Sequence, residues 1–122
     1  MDENREIRRI KSTNYTIFVV VLIVAALFAL KLAQSVYWSS FSSEKWLENP
    51  ERRAGMTADL TEQYELTGMS VPEVEALLGE SDYASADSLV YWLGNERTLI
   101  DSEWLVLQLS GGAVSGVSIE TD

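Results

Sequence analysis

The chain has 122 residues, with 19 Asp and Glu against 9 Lys and Arg, and neither Cys nor His. This length accommodates one small domain and an anchoring segment. The absence of Cys excludes disulfides, a thiol nucleophile and a lipid-modified N-terminal Cys, and the absence of His removes the commonest general base and metal ligand. A formal net charge of −10 argues against binding to nucleic-acid phosphates.

The N-terminal third pairs a basic segment with an apolar one. Residues 1–14 contain four basic side chains against three acidic ones, and Ile17–Leu30 is apolar on every helical face. Extended over 15–38, the apolar segment would be a helix of about 36 Å, which is long enough to span a bilayer. We therefore predict a basic cytoplasmic N-terminus over 1–14 and an uncleaved transmembrane signal anchor over 15–38.

Four side chains of this segment suit the borders of a membrane. Tyr15 at one end, and Tyr37 with Trp38 at the other, fit the interfacial aromatic belts, and Lys31 can extend its amine toward the outer border. The basic residues before the span predict a cytoplasmic N-terminus and an extracytoplasmic remainder of the chain. A cleaved signal peptide is the main alternative, although its small-residue sites would place a large or charged residue at the −3 position.

Small residues recur along one face of the predicted span. Ala25, Ala29 and Ala33 are spaced four apart, a pattern that lets two membrane helices approach closely. We take this face as a candidate for homodimerisation, with the alternative that Ala only fills the helix.

The remainder predicts two helices followed by strands. Residues 39–43 form a polar tether, and the domain occupies 44–122, with one helical turn over 44–49. Asn49-Pro50 is a helix-start signal that predicts a helix over 50–65. Ser70 and Glu73 form a capping box that starts a second helix over 71–78, which Gly79 ends. Residues 80–87 are predicted as a loop.

Three strand candidates follow. They cover Ser88–Leu93, Ser102–Ser110 and Ala113–Thr121, and Gly111-Gly112 is a two-residue hairpin turn. Short links favour an antiparallel arrangement. The predicted fold class is therefore α+β, a transmembrane helix followed by an ααβββ domain whose three-stranded antiparallel sheet is covered on one face by two helices.

Several short segments of this domain carry a family resemblance. They are Tyr64-x-Leu66-x-Gly68-Met69-Ser70, Glu73-Val74, Leu77-Leu78-Gly79, Val90–Gly94, Trp104–Leu107 and Gly111-Gly112. Together they resemble the SmpA/OmlA (BamE-like) family, whose ααβββ unit is also the repeat of β-lactamase inhibitor protein. Asn49–Arg53 resembles forms found in Gram-positive bacteria. The resemblance covers about 44–122 and implies a non-catalytic, extracytoplasmic adaptor that binds other proteins.

Two departures from the family pattern matter. Ser81 stands where the usual Pro follows Leu-Gly-Glu, and a transmembrane helix replaces the lipid-modified Cys that anchors the family in an outer membrane. Assembly of outer-membrane barrels is therefore not carried over to this chain.

Chemistry-bearing patterns are weak. The acidic pairs Glu73/Glu75 and Asp101/Glu103 are neighbours on solvated elements, whereas a glycosidase needs carboxylates across a cleft. Residues 80–87 offer oxygens to Ca²⁺ but lack the ligand spacing of an EF-hand. We predict no enzyme activity, no catalytic residue, and no cofactor or metal site, and the sequence identifies no small-molecule substrate.

Aromatic side chains are the stronger indication. Alternation places Leu105, Leu107 and Leu109 on one face of a strand and Trp104 and Val106 on the other, while one of the neighbours Tyr91 and Trp92 must face outward. An aromatic patch on an open sheet is a recognisable protein-binding surface. The candidate partner-binding residues are Tyr91, Trp92, Trp104 and Val106, with the alternative that the tryptophans only complete the core.

Three functions remain open from the sequence. The favoured one is a membrane-anchored extracytoplasmic adaptor that binds another cell-envelope protein through the face or edge of its sheet. The alternatives are an inhibitor or regulator of an envelope hydrolase, and a small accessory subunit of a membrane complex that acts through its transmembrane helix.

Overall fold

The computed structural model describes residues 2–122, with side chains from residue 12 onward. The chain divides into two units, Met1–Tyr37 and Trp38–Asp122. The predicted basic N-terminus over 1–14 rests mainly on the side chains of residues 1–11, which lie outside this description.

The first unit is carried by one long helix, α1 (Asp2–Ser39). Within it, Ser12–Ser39 forms 28 residues that are long and apolar enough to cross a membrane. The side chains of this segment are predominantly exposed, because they have no core of their own to pack against. A helix of this kind is compatible with the predicted anchor over 15–38.

The second unit begins with a segment that is more tightly packed than predicted. Phe41 is buried, and its N–H donates a hydrogen bond to Asp59 Oδ2 at 2.6 Å. The Phe41 ring lies edge-on to Trp46 and Tyr64, with centroid distances of 5.9 and 5.8 Å. The prediction of a polar tether over 39–43 is therefore wrong, since its central residue is part of the domain core.

Three helices and one 3₁₀ turn follow. They are α2 (Ser43–Glu48), the 3₁₀ turn Pro50–Arg52, α3 (Arg53–Gln63) and α4 (Val71–Leu78). The helix predicted over 50–65 is thus divided into a tight turn and a shorter α-helix. The Asn49 side chain forms no cap hydrogen bond with this turn, and its Nδ2 donates to Lys45 O of the preceding helix at 3.3 Å.

Helix α4 has the predicted bounds and caps. The Glu73 N–H donates to Ser70 Oγ at 3.3 Å, and Ser70 Oγ donates to Glu73 Oε1 at 3.0 Å. The first bond satisfies one backbone donor that an uncapped helix would leave open, and the second holds the two side chains together. Gly79 ends the helix at a φ of 77°, a conformation that a side chain would strain.

The sheet has four antiparallel strands in the order β1-β2-β3-β4, rather than the predicted three. They are β1 (Tyr83–Ala84), β2 (Ser88–Gly94), β3 (Glu103–Ser110) and β4 (Ala113–Thr121). The additional strand β1 lies in the predicted loop and pairs with Leu89 and Val90. The predicted hairpin turn is confirmed, with Gly111 and Gly112 at φ values of 60° and 79°.

One face of the sheet packs against the helices and forms the core. The linker between α3 and α4 is joined to the start of β4, because Gly68 N donates to Val114 O at 2.7 Å and Val114 N donates to Met69 O at 2.8 Å. The largest fully buried side chains are Trp46, Met56, Leu60, Val74, Leu78, Leu89, Tyr91, Leu93, Leu105 and Leu107.

Candidate functional site

The register of the strands defines a second, outward face of the sheet. Trp92 pairs with Trp104 and Val90 pairs with Val106, and directly paired residues project from the same side. Tyr83 joins them as the partner of Val90 on β1. These five residues, which we call the aromatic face, point away from the side that carries the buried leucines of β2 and β3.

Two rings of the aromatic face pack against each other. The centroids of Tyr83 and Trp104 are 5.7 Å apart with a 52° tilt, within the usual range for favourable aromatic pairs. Tyr83 is 64% exposed, whereas the other four members are half-buried. This contact restricts the Tyr83 and Trp104 rings before any partner binds, so ordering these two side chains would cost little entropy.

Carboxylates border this face. Trp104 Nε1 donates to Asp122 Oδ1 at 3.1 Å, and the backbone N–H of Trp92 donates to Asp82 Oδ2 at 2.7 Å. Glu120 is the direct partner of Trp104 on β4. Indole faces beside carboxylates attract Lys and Arg by cation–π contact and by charge. The chemistry of this face therefore suits a protein segment with exposed basic side chains.

A buried arginine positions the strand that carries Trp92. Arg53 Nε donates to Trp46 O at 2.8 Å and Arg53 Nη1 donates to Trp92 O at 3.3 Å. Its guanidinium lies 4.9 Å from the centroid of the Trp46 ring and 3.8 Å from Asp82 Oδ2. Burial lowers the pKa of Arg53 from its usual value, and the charge of Asp82 opposes that shift. Arg53 thus links α2, α3 and the aromatic strand.

Tyr91 does not belong to the aromatic face, and its assignment to partner binding is wrong. Tyr91 is fully buried on the helix side, where its hydroxyl donates to Gly79 O at 2.8 Å. Its ring lies edge-on to Trp46 at 6.2 Å. Burial, with a smaller contribution from Glu75, raises the pKa of Tyr91 to about 12. This residue is a structural contact between β2 and the end of α4.

The other three candidates have the predicted orientation. Trp92, Trp104 and Val106 lie together on the aromatic face. Sequence reasoning missed Tyr83 and Val90 as members of that face. The sequence did contain a signal for the orientation of β2. Leu89, Tyr91 and Leu93 occupy alternate positions, so they share one face, and the two leucines identify it as the core face.

The edge strand β4 offers a second surface. Val117 and Ile119 face the helix side, opposite Leu107 and Leu105, yet both are exposed. They line an open groove of about 460 Å³ together with Thr57 and Thr61 of α3. Such a groove beside a strand edge fits an extended segment that adds a strand to the sheet.

The predicted anchor residues are placed along α1. Tyr15, Lys31 and Tyr37 are exposed on the helix surface, and Trp38 is half-buried beneath Arg52, whose Cζ lies 4.7 Å from the ring centroid. Ala25, Ala29 and Ala33 are exposed at fourfold spacing, which leaves the candidate dimer face open.

Within residues 12–122, no group of three or more Asp and Glu side chains is arranged to hold a metal ion. Two of the four carboxylates singled out in the sequence have structural partners. Glu73 belongs to the capping box, and Glu103 accepts two hydrogen bonds from Arg97.

Comparison with known proteins found no family model, no curated protein and no solved structure that matches this chain. The chain therefore consists of an apolar N-terminal helix followed in sequence by a small α+β domain. The resemblance to the SmpA/OmlA family stays a prediction.

Proposed function

We propose that this chain is a non-catalytic, membrane-anchored adaptor whose extracytoplasmic domain binds another cell-envelope protein. In this proposal, residues 15–38 cross the membrane once, and the N-terminus is cytoplasmic. The domain is taken as a BamE-like member of the SmpA/OmlA family that has exchanged a lipid anchor for a helix.

The observation that carries the proposal is the aromatic face. Two tryptophans, a tyrosine and two valines lie together on the side of the sheet opposite the core. Tryptophan and tyrosine are enriched among the residues that dominate protein–protein affinity. A solvated sheet face needs no such residues for folding, since polar side chains serve there equally well.

Charge defines the partner more closely. Residues 39–122 contain four basic and sixteen acidic side chains, a net charge of −12. Three of the acids, Asp82, Glu120 and Asp122, border the aromatic face. We therefore expect a partner surface that presents Lys or Arg to the tryptophans. The β4 groove is the second candidate surface, because it exposes Val117 and Ile119 beside a free strand edge.

Site-specific photocrosslinking in the full-length chain tests this proposal. Tyr83 is replaced by p-benzoylphenylalanine, an aromatic substitute that keeps the ring at the aromatic face. Tyr64 receives the same substitution as a matched control, because it is also an exposed tyrosine but packs against Phe41 on the helix side. We expect a discrete protein adduct from position 83 in intact cells and none of that mass from position 64.

Two further variants test specificity. Glu120→Gln with Asp122→Asn should reduce the adduct, as should raising salt from about 0.15 to 0.5 M, because both weaken attraction to a basic partner. Trp104→Ala should abolish it while the far-ultraviolet circular dichroism stays unchanged. Equal adducts from both tyrosine positions, or an adduct indifferent to all these changes, would refute docking at this face.

A further inference from the structure

Two aliphatic side chains at the tip of the loop between β2 and β3 are exposed to solvent. Leu99 is 81% exposed and Ile100 is 88% exposed, more than the other large apolar residues in the described part of the domain. Leu99 also has a φ of 67°, a left-handed conformation that disfavours a branched side chain. A strained backbone conformation of this kind is found most often at functional sites.

The base of this loop is fixed even though its tip is exposed. Arg97 donates from Nε and Nη2 to the two oxygens of Glu103 at 2.9 and 2.8 Å, and Glu103 is buried. Leu99 N donates to Asn95 O at 2.7 Å, and Thr98 Oγ1 donates to Asp101 O. These contacts present Leu99 and Ile100 as a pair on an ordered support.

The loop starts beside the residue at which the predicted span ends. Arg52 lies over the Trp38 ring at 4.7 Å and forms an ion pair with Glu96 at 3.2 Å. Gly94 approaches the backbone of Glu51 so closely that a Cβ there would lie 2.8 Å from Glu51 O. The chain from Glu96 to Leu99 can extend roughly 10 Å. The apolar tip is therefore tied to the Trp38 end of the domain.

We propose that Leu99 and Ile100 insert into the interfacial layer of the bilayer that residues 15–38 span, as a second membrane contact of the domain. The inference rests on the proposed anchoring. Lipid is the occupant that the position favours, because Trp38 is the interfacial residue of the predicted anchor and Phe41, three residues later, is already in the core. A lipid surface also accepts adjacent aliphatic side chains without a shaped pocket.

Charge sets the lipid preference of this contact. Residues 95–102 carry Glu96, Arg97 and Asp101, and the domain behind them is strongly acidic. Anionic headgroups repel such a surface, so insertion should be stronger in zwitterionic than in anionic bilayers. Each side chain withdrawn from water should shift the insertion equilibrium by roughly tenfold or more.

Fluorescence from single cysteines tests the contact, since the chain has no native Cys. The full-length protein is reconstituted in phosphatidylcholine nanodiscs, with an environment-sensitive dye at Ile100→Cys. Ser115→Cys on β4 is the solvent control, and Ile23→Cys in the span is the anchoring control. A quencher on the upper acyl chain should quench position 100 strongly and position 115 weakly, and phosphatidylglycerol should reduce the quenching at position 100.

Leu99→Asn is the specific variant, because Asn tolerates the left-handed conformation that strains Leu. It should lower the quenching at position 100 at least about threefold while leaving unfolding by urea unchanged or shifted to higher concentration. Leu99→Ser is the second variant, should the first perturb the fold, and it should lower quenching likewise.

The outcomes separate the two proposals. If position 23 is quenched while position 100 behaves like position 115, anchoring stands and the loop contact is refuted. If neither position 23 nor position 100 is quenched, the proposed anchoring fails, and the loop contact fails with it. A dye at position 100 that leaves water only after membrane extract is added would assign the tip to a protein partner and overturn lipid insertion.

Discussion

Arg53 shows how one buried cation organises this small domain. The guanidinium reaches backbone carbonyls of Trp46 and Trp92 and packs over the Trp46 ring. These carbonyls belong to α2 and β2, which are distant in the chain, so the side chain replaces solvent between them. Leaving a buried cation unpaired lowers stability, and so does leaving the two buried carbonyls without their donor.

Replacing Arg53 should therefore destabilise the domain far more than replacing its neighbour. Arg53→Met should lower the free energy of unfolding by about 2–4 kcal/mol, since two carbonyls lose their donor. Arg52→Met, at an exposed ion pair, should cost less than about 1 kcal/mol. Urea unfolding of the full chain in detergent micelles measures both. Equal losses in the two variants would contradict the bridging role of Arg53.

Tyr91 provides a pH test of the core. Its pKa is raised to about 12 when folded, against an ordinary value of 10.0. The unfolded chain therefore releases this proton at lower pH than the folded chain does. The stabilisation from the neutral hydroxyl is complete below pH 10 and is lost as the pH rises toward 12.

Tyr91→Phe should remove this part of the alkaline destabilisation and should cost about 1 kcal/mol at neutral pH, because Gly79 O loses its donor. Tyr83→Phe is the matched control, because it removes the same hydroxyl at an exposed position. The measurement is the free energy of unfolding from pH 8 to 12 for the three proteins. Parallel pH curves for the parent chain and Tyr91→Phe would rule out the proposed titration.

Among the elements, the sequence predicted correctly those whose ends are set by local hydrogen bonds. The capping box of Ser70 and Glu73 and the stop at Gly79 define α4 as predicted, and the Gly111-Gly112 turn determines the β3–β4 hairpin. The start of α3 differs from the prediction, because a 3₁₀ turn occupies Pro50–Arg52 and the Asn49 side chain forms no cap bond with it. A sequence shows that a capping residue is present, but tertiary position decides which backbone group it binds.

The two cap residues should accordingly respond differently to alanine. Ser70→Ala should lower the free energy of unfolding by about 1 kcal/mol, since Glu73 N loses its acceptor. Asn49→Ala should cost less than about 0.5 kcal/mol, because its side chain supplies no cap bond to the following turn. Thermal unfolding of both variants measures this difference. A larger loss at Asn49 than at Ser70 would contradict this difference.

Sequence reasoning missed one strand and one register, and both depend on pairing with another strand. Strand β1 has two residues, and it exists because Tyr83 and Ala84 meet Val90 and Leu89 across a turn rather than through any strand pattern of their own. The register between Trp92 and Trp104, which assembles the candidate site, is likewise a property of paired strands. Alternation predicted which residues of β3 share a face. It did not predict which residues of β1 and β2 lie beside them on that face.

At the scale of the whole molecule, charge and apolar surface are segregated along the chain. The apolar residues of 15–38 precede a domain with four basic and sixteen acidic side chains. In the proposed topology, anionic headgroups would repel this acidic domain and so keep it in solution. Its exposed apolar side chains include those of the aromatic face, the β4 groove and the loop tip at Leu99 and Ile100, together with Leu47 of α2 and Tyr64.

The small-residue face of α1 leads to a prediction about dimerisation. Leu in place of Ala25, Ala29 and Ala33 would widen the close-approach face and should abolish helix-mediated dimers of the full chain in a membrane-based association assay. Leu in place of Ala26, which lies on another face of the helix, is the control and should have little effect. Dimerisation that survives the triple change would exclude this face as the interface.

The central proposal is that residues 15–38 cross the membrane and display the acidic domain outside. Because the chain has no native Cys, Ser12→Cys and Ser115→Cys can be tested separately with a membrane-impermeant maleimide on spheroplasts. We predict that the reagent labels position 115 directly and position 12 only after the membrane is permeabilised. Labelling of position 12 with protection of position 115 would contradict the account, because it would place the domain in the cytoplasm.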